Sequence, residues 1–176
     1  VYWMDTRNGK MYAALGPKGE GPEKPYGIAI DDNGYIWVAT MNDGAIWRYI
    51  PGPAPTMSGG TWESLIVTDS FRGIAVDVDG YVWAIDTSDA STIYMVDPAT
   101  FPASNSQYGP FFLGDSDVNA RKGTGAAIDF SGHVCGISTT GCITDAGDMG
   151  CATRLTVERG DDGVPVVKET NDIVAV

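Results

Sequence analysis

The feature that most constrains this chain is a stretch that it writes three times. Pro25-Tyr-Gly-Ile-Ala-Ile-Asp-Asp-Asn-Gly-Tyr-Ile-Trp-Val-Ala-Thr40 is followed by Arg72-Gly-Ile-Ala-Val-Asp-Val-Asp-Gly-Tyr-Val-Trp-Ala-Ile-Asp86 and by a more divergent Thr124-Gly-Ala-Ala-Ile-Asp-Phe-Ser-Gly-His-Val-Cys-Gly-Ile-Ser138. Each copy has a short apolar run, a polar turn ending in glycine (Asp31 to Gly34, Asp77 to Gly80, Asp129 to Gly132), and a second run. Runs this short, rich in β-branched and aromatic types and bounded by glycine, read as β-hairpins rather than helices. We label the two runs strands A and B.

A third run, strand C, follows each hairpin at Ala45 to Ile50, Thr92 to Asp97 and Cys151 to Val157, and Pro51 and Pro98 stop the first two. Outer strands D are expected at Trp62 to Thr68, Pro110 to Gly114 and Val164 to Glu169, with Gly52 to Gly60 and Ala99 to Gly109 as surface loops. Gly27 and Gly73 lie 46 positions apart, and Gly73 and Gly125 lie 52 apart. That period suits propeller blades of four strands. The expected fold class is therefore all-β, a β-propeller. Ile36-Trp-Val-Ala39 and Val82-Trp-Ala-Ile85 are apolar at successive positions, which fits strands covered on both faces.

At 176 residues the chain is expected to be one domain. Val1 to Thr6 aligns with Val82 to Thr87, so the chain opens on a strand B, with Lys10 to Leu15 as its strand C. Ile173 to Val176 aligns with Gly73 to Val76, a strand A. The blades are then approximately 1–24 plus 171–176, 25–70, 71–122 and 123–170. These four close into a four-bladed ring, or they form part of a six- or seven-bladed one.

The chain has 11 basic against 23 acidic residues, a net charge of -12. Nucleic acid and anionic membrane surfaces are bound by basic groups, so both are disfavoured as partners, whereas cations and basic partners stay open. No apolar run reaches the roughly 20 residues of a membrane helix. Three cysteines in a chain with 23 glycines point to an oxidising setting, that is an extracellular, periplasmic or cell-surface location.

The repeat grammar, Gly-Ile-Ala-Ile-Asp at Gly27, Gly-Tyr-Ile-Trp-Val at Gly34 and Ile-Trp-Arg-Tyr at Ile46, resembles the NHL-type and virginiamycin B lyase-like β-propellers. The resemblance covers residues 1–50, 71–98 and 124–157. It implies a propeller fold but not one activity, because such propellers include lyases, lactonases, dehydrogenases and plain interaction modules. The lyase uses a catalytic histidine in a loop, and the single histidine here, His133, falls in a strand.

The Asp-x-x-Gly turns lack the ligand spacing of a calcium loop and read as turns whose carboxylates bond local N–H groups. His133 reads as a structural histidine, and Cys135 as a free thiol replacing Trp37 and Trp83 in the core. Tyr2, Trp37 and Trp83, like Tyr12, Trp47 and Tyr94, read as packing between blades. Cys142 and Cys151 flank an insertion and are expected to pair as a disulfide, with zinc as the alternative.

The B–C loops of a propeller, here Asp5 to Gly9, Thr40 to Gly44, Asp86 to Ser91 and Thr139 to Gly150, emerge on one face with the D–A loops, and they are rich in aspartate. The expected binding residues are Asp5, Asp43, Asp86, Asp89, Arg72, Asp115, Asp117, Asp145 and Asp148. No catalytic residue and no cofactor is assigned, although Asp5, Asp86, Asp115 and Asp117 could hold a divalent cation. The function expected is an interaction module for a protein or glycan, with other chains completing the propeller as a further possibility. The alternatives are a metal-dependent lyase or hydrolase and a structural subunit of a larger assembly.

Overall fold

The computed structural model describes residues 3–12, 21–41, 43–53, 59–68, 70–87, 92–113, 123–144, 147–161 and 164–175. Strands β1 (Trp3–Asp5) and β2 (Lys10–Tyr12) pair with each other. Three four-stranded sheets follow, each antiparallel and each in sequence order. The first is β3 (Pro25–Ile30), β4 (Ile36–Thr40), β5 (Ala45–Ile50) and β6 (Thr61–Ile66). The second is β7 (Phe71–Val76), β8 (Val82–Asp86), β9 (Thr92–Val96) and β10 (Gln107–Phe112). The third is β11 (Gly123–Ile128), β12 (Val134–Thr144), β13 (Gly147–Arg159) and β14 (Pro165–Ala175).

The A–B hairpins form where the turn chemistry requires them. Gly34, Gly80 and Gly132 all have positive φ, between 78° and 88°, which a side chain rarely tolerates. Each donates its N–H to the carbonyl of the aspartate three residues earlier, at 2.9–3.0 Å.

The sheets stack face to face through the strands that open them, β3 on β7 and β7 on β11. Glycine permits this approach. A Cβ on Gly27 would be driven into the Arg72 carbonyl of the next sheet, and one on Gly73 would lie 2.7 Å from the Cα of Gly125. The glycine of the motif thus makes a backbone-on-backbone contact, and at the first seam Ile74 packs on the preceding sheet. Further out, Trp37, Ala39 and Ile46 of the first sheet meet Phe71, Val82 and Val96 of the second. Trp83, Ile85 and Ile93 of the second meet Val134 and Leu155 of the third. The regular tryptophans are therefore seam residues, both fully buried.

Three local expectations are corrected. Ala99 to Gly109 is not a free surface loop: it holds a short 3-10 turn, Ser104–Ser106, and Gln107 already belongs to β10. Its Phe101 is buried against the edge of Trp37, with ring centroids 5.0 Å apart, so burial of that ring draws the connection into the seam. Thr139 to Gly150, expected as a loop, continues β12 and β13 apart from residues 145 and 146, which lie outside the described residues. Its Thr139, Thr140, Ile143 and Thr144 are β-branched and favour extension. Finally, Ile173 to Ala175 does not begin a strand beside β1. It continues β14 along β13, with Ala175 opposite Cys151, across a bulge that absorbs the change of register.

Candidate functional site

The A–B turns hold their aspartates on local N–H groups, as the Asp-x-x-Gly pattern leads one to expect. Asp31 accepts the N–H groups of Asn33 and Tyr35 on one oxygen, both at 2.9 Å, and the Trp37 indole N–H on the other, at 2.9 Å. Asp77 repeats this with Asp79 (3.0 Å), Tyr81 (2.8 Å) and Trp83 (2.8 Å). In the third sheet tryptophan is replaced by Cys135, and the free oxygen of Asp129 is taken instead by His133 Nδ1 at 2.8 Å. Ser131 and His133 donate their backbone N–H groups to the other oxygen. The single histidine therefore stands in for an indole, a structural role.

Two predictions arise here. Asp77→Ala leaves the buried Trp83 indole and two turn N–H groups without their carboxylate, so a loss of about 2–3 kcal/mol is expected, measured by urea unfolding. Asp129 has its pKa held below the ordinary 3.8 by the hydrogen bond from the His133 backbone. A depressed carboxylate stabilises the fold above its unfolded value, and that contribution is lost as pH falls through the folded value. The stability gap between the wild type and Asp129→Asn is therefore expected to be constant from neutral pH down to about 5 and to shrink below 3.8. Denaturation curves across that range check it.

Arg48 supplies a second device, at the seam between the first and second sheets. Its side chain is nearly buried and donates forward across the seam to the carbonyls of Pro98 (2.7 Å) and Phe101 (2.9 Å) in the next sheet. Behind it, Glu63 on the neighbouring β6 accepts from Nε and Nη2 at 2.9 and 2.6 Å. The guanidinium lies over Trp37 and Phe101, 5.3 and 4.9 Å from the ring centroids. The Ile-Trp-Arg motif thus ends in a clasp between successive sheets.

Among solved structures, the chain is similar to the crystal structure of selenomethionine-substituted virginiamycin B lyase from Staphylococcus aureus, with a TM-score of 0.52 and 14% identity. The match covers 82% of this chain and 55% of that one. The fold is a β-propeller. No protein-family model matches the chain, and no curated protein does. The three sheets are blades, and the chain spans 55% of the length of the propeller it resembles.

On the loop face, the described residues give a mixed picture. Asp86 is 3% exposed, and it accepts the Thr68 hydroxyl at 2.6 Å across the seam between the first and second blades. Nearby, burial raises the pKa of the Tyr94 phenol, with the charge of Asp86 adding to the effect. Asp43 is half-buried and bonds the Thr40 hydroxyl, which accepts the Ala45 N–H at 3.2 Å and so closes the B–C loop. Arg72 stacks over Tyr26, 5.4 Å from its centroid. Asp5 lies in β1 opposite Lys10, and Asp148 in β13 opposite Ile143, with their side chains outside the described residues. Asp89, Asp115, Asp117 and Asp145 lie outside them altogether. Among the described residues no three His, Cys, Asp or Glu side chains come together as metal ligands.

The cysteines differ from one another. Cys135 is a half-buried free thiol whose pKa is raised by burial. Cys142 stands opposite Met149 and Cys151 opposite Ser138, so their backbones are not directly opposed. Their side chains lie outside the described residues.

A cleft of about 190 Å³ opens on the turn face, between the second and third blades. Its rim joins Asp77 and Asp79 to Arg159, which lies 3.9 and 4.0 Å from them and stacks on Tyr81. Val78 beside it and Phe130 on the next turn are exposed. The sequence has no signal for this cleft, because Arg159 ends a strand 82 positions from Asp77 and meets it only through blade packing.

Proposed function

We propose that this propeller is an interaction module that engages a protein or a glycan through its Asp-rich loop face, in an extracellular, periplasmic or cell-surface setting. The observation that carries the reading is a division of labour among the carboxylates. Asp31, Asp77 and Asp129 hold turns, and Asp86 ties a seam. Five further aspartates fall between strands in the sequence, at Asp43, Asp89, Asp115, Asp117 and Asp145. A rigid scaffold with acidic loops attracts basic groups and accepts hydrogen bonds from hydroxyl-rich ligands.

The test compares the wild type with a variant carrying Asp89→Asn, Asp115→Asn, Asp117→Asn and Asp145→Asn, on glycan arrays and against Lys/Arg-rich peptides at low and physiological salt. Saturable binding that the variant weakens by about tenfold or more is expected, salt-sensitive in the peptide case. Absence of binding, or equal binding by the variant, would overturn the reading. Divalent-dependent turnover of a lactone or ester would move the protein to the lyase or hydrolase class instead.

A further inference from the structure

We propose that the cleft between the second and third blades seats an aromatic side chain of a peptide partner, one that carries a basic residue beside that ring. The site lies on the turn face and stands independently of the loop-face reading.

The first seam shows what such a place holds. Asp31, Trp37 and Val82 are the repeat counterparts of Asp77, Trp83 and Val134, which line the cleft at the second seam. At the first seam the connection after β9 sends Phe101 inward, where it is 5% exposed and packs with Trp37 and Val82. Its ring centroid lies 4.9 Å from the Arg48 guanidinium. After β13 the connection is Gly160-Asp-Asp-Gly-Val164, which has no ring to send. There a cleft of about 190 Å³ stays open against Trp83, Val134 and Val157.

The cation that faces Phe101 has its counterpart too. Met95 holds the position of Arg48, each opposite its own blade's tryptophan. Arg159 of the third blade reaches across instead, with Nη1 4.0 Å from the Met95 sulfur. Its guanidinium lies over Tyr81, 3.3 Å from the centroid, as that of Arg48 lies over Tyr35 at 5.6 Å. The carboxylates of Asp77 and Asp79 stand 3.9 and 4.0 Å from it, longer than a hydrogen bond. A ring entering the cleft therefore meets a tryptophan, a valine and a guanidinium, the combination that surrounds Phe101. Pockets for drug-sized ligands hold about 300–1,000 Å³, so this smaller volume suits a single ring.

The rim selects what flanks that ring. Two carboxylates face one guanidinium, and the Asp79 side chain is 67% exposed, on a chain of net charge -12. A Lys or Arg next to the aromatic residue pairs with Asp79, whereas an acidic neighbour is repelled. Val78 on the rim and Phe130 on the adjacent turn, 82% and 112% exposed, offer apolar surface to the rest of the peptide.

Titration of the isotope-labelled full chain with the peptide acetyl-Gly-Lys-Phe-Lys-Gly-amide, followed by amide shifts, tests this. Saturable shifts are expected at Asp79, Gly132 and Val157, with a Kd of about 0.1–1 mM for one seated ring. Peptides with Ala for Phe, or with Glu for both Lys, are each expected to bind at least about tenfold more weakly. Val157→Trp, which supplies a ring from within the third blade, is expected to abolish the shifts with unchanged circular dichroism. Asp79→Asn, which keeps the turn N–H groups bonded to Asp77, is expected to weaken binding about threefold and answers the question even where Val157→Trp does not fold. Absence of saturable shifts, or equal binding of the Ala peptide, overturns the proposal. So does phenethylamine binding as tightly as the peptide, which would make the cleft a small-molecule site.

Discussion

Gly73→Val is expected to lose about 3–5 kcal/mol of stability, enough to unfold much of a marginally stable domain at physiological temperature. The valine Cβ would meet main chain, the Cα of Gly125 at 2.7 Å and the Ala126 amide closer still, and main chain within a stacked sheet has no rotamer to escape into. Relief requires β7 and β11 to part, and separating them also loosens the seam around Trp83, Ile85 and Leu155. The contrast that isolates the cause is Gly125→Val, at the same repeat position, where the nearest atoms to an added Cβ belong to the flexible side chain of Ile137, at 3.6–4.0 Å. That substitution is expected to change the stability of a single chain by no more than about 1 kcal/mol. Urea unfolding followed by tryptophan fluorescence measures both. Equal effects at the two positions would show that strand propensity, not inter-blade approach, sets the requirement for glycine.

The second large effect is expected at Arg48. Arg48→Met should cost about 3–4 kcal/mol by the same measurement, since it strips the buried Phe101 carbonyl and the part-buried Pro98 carbonyl of a charged donor and removes a cation stacked on Trp37 and Phe101. Methionine suits the position sterically, because Met95 occupies it in the second blade. Glu63 is expected to contribute far less. Its side chain is 30% exposed, so water can replace the guanidinium, and Glu63→Gln should cost less than about 1 kcal/mol. If Glu63→Gln were as damaging as Arg48→Met, the ion pair within the blade would be the operative contact, and the clasp to the next blade would not.

What the sequence made legible was whatever repeats. Three copies of one hairpin, their tryptophans and their Asp-x-x-Gly turns sufficed for strands, order and fold class, because short β-branched and aromatic runs and turn glycines are local signals. Cys135 and His133 were read separately as a core thiol and a structural histidine. Their joint meaning, that His133 supplies Asp129 with the donor lost when Cys135 replaced an indole, needed coordinates. Contacts between blades were the illegible part. Phe101 lies in a Pro/Ser-rich stretch with no periodicity, yet it fills a seam 64 positions from Trp37. Asp86 looked like a loop carboxylate because it ends a strand, and the neighbouring blade's Thr68 takes it inside. The extension of β12 and β13 was missed for another reason: threonine-rich segments between glycines satisfy loop and strand composition equally.

The repeat motif is the instruction for stacking one blade's inner strand on the next. Nuclear Overhauser contacts on isotope-labelled protein test this most directly. Strong cross-peaks are predicted from the Gly27 α-protons to the Ile74 amide and from the Gly73 α-protons to the Ala126 amide, alongside the within-blade contacts of Ala75 with Trp83. Within-blade peaks without the two glycine-to-next-blade peaks would contradict the claim, for the hairpins would then exist without the stack.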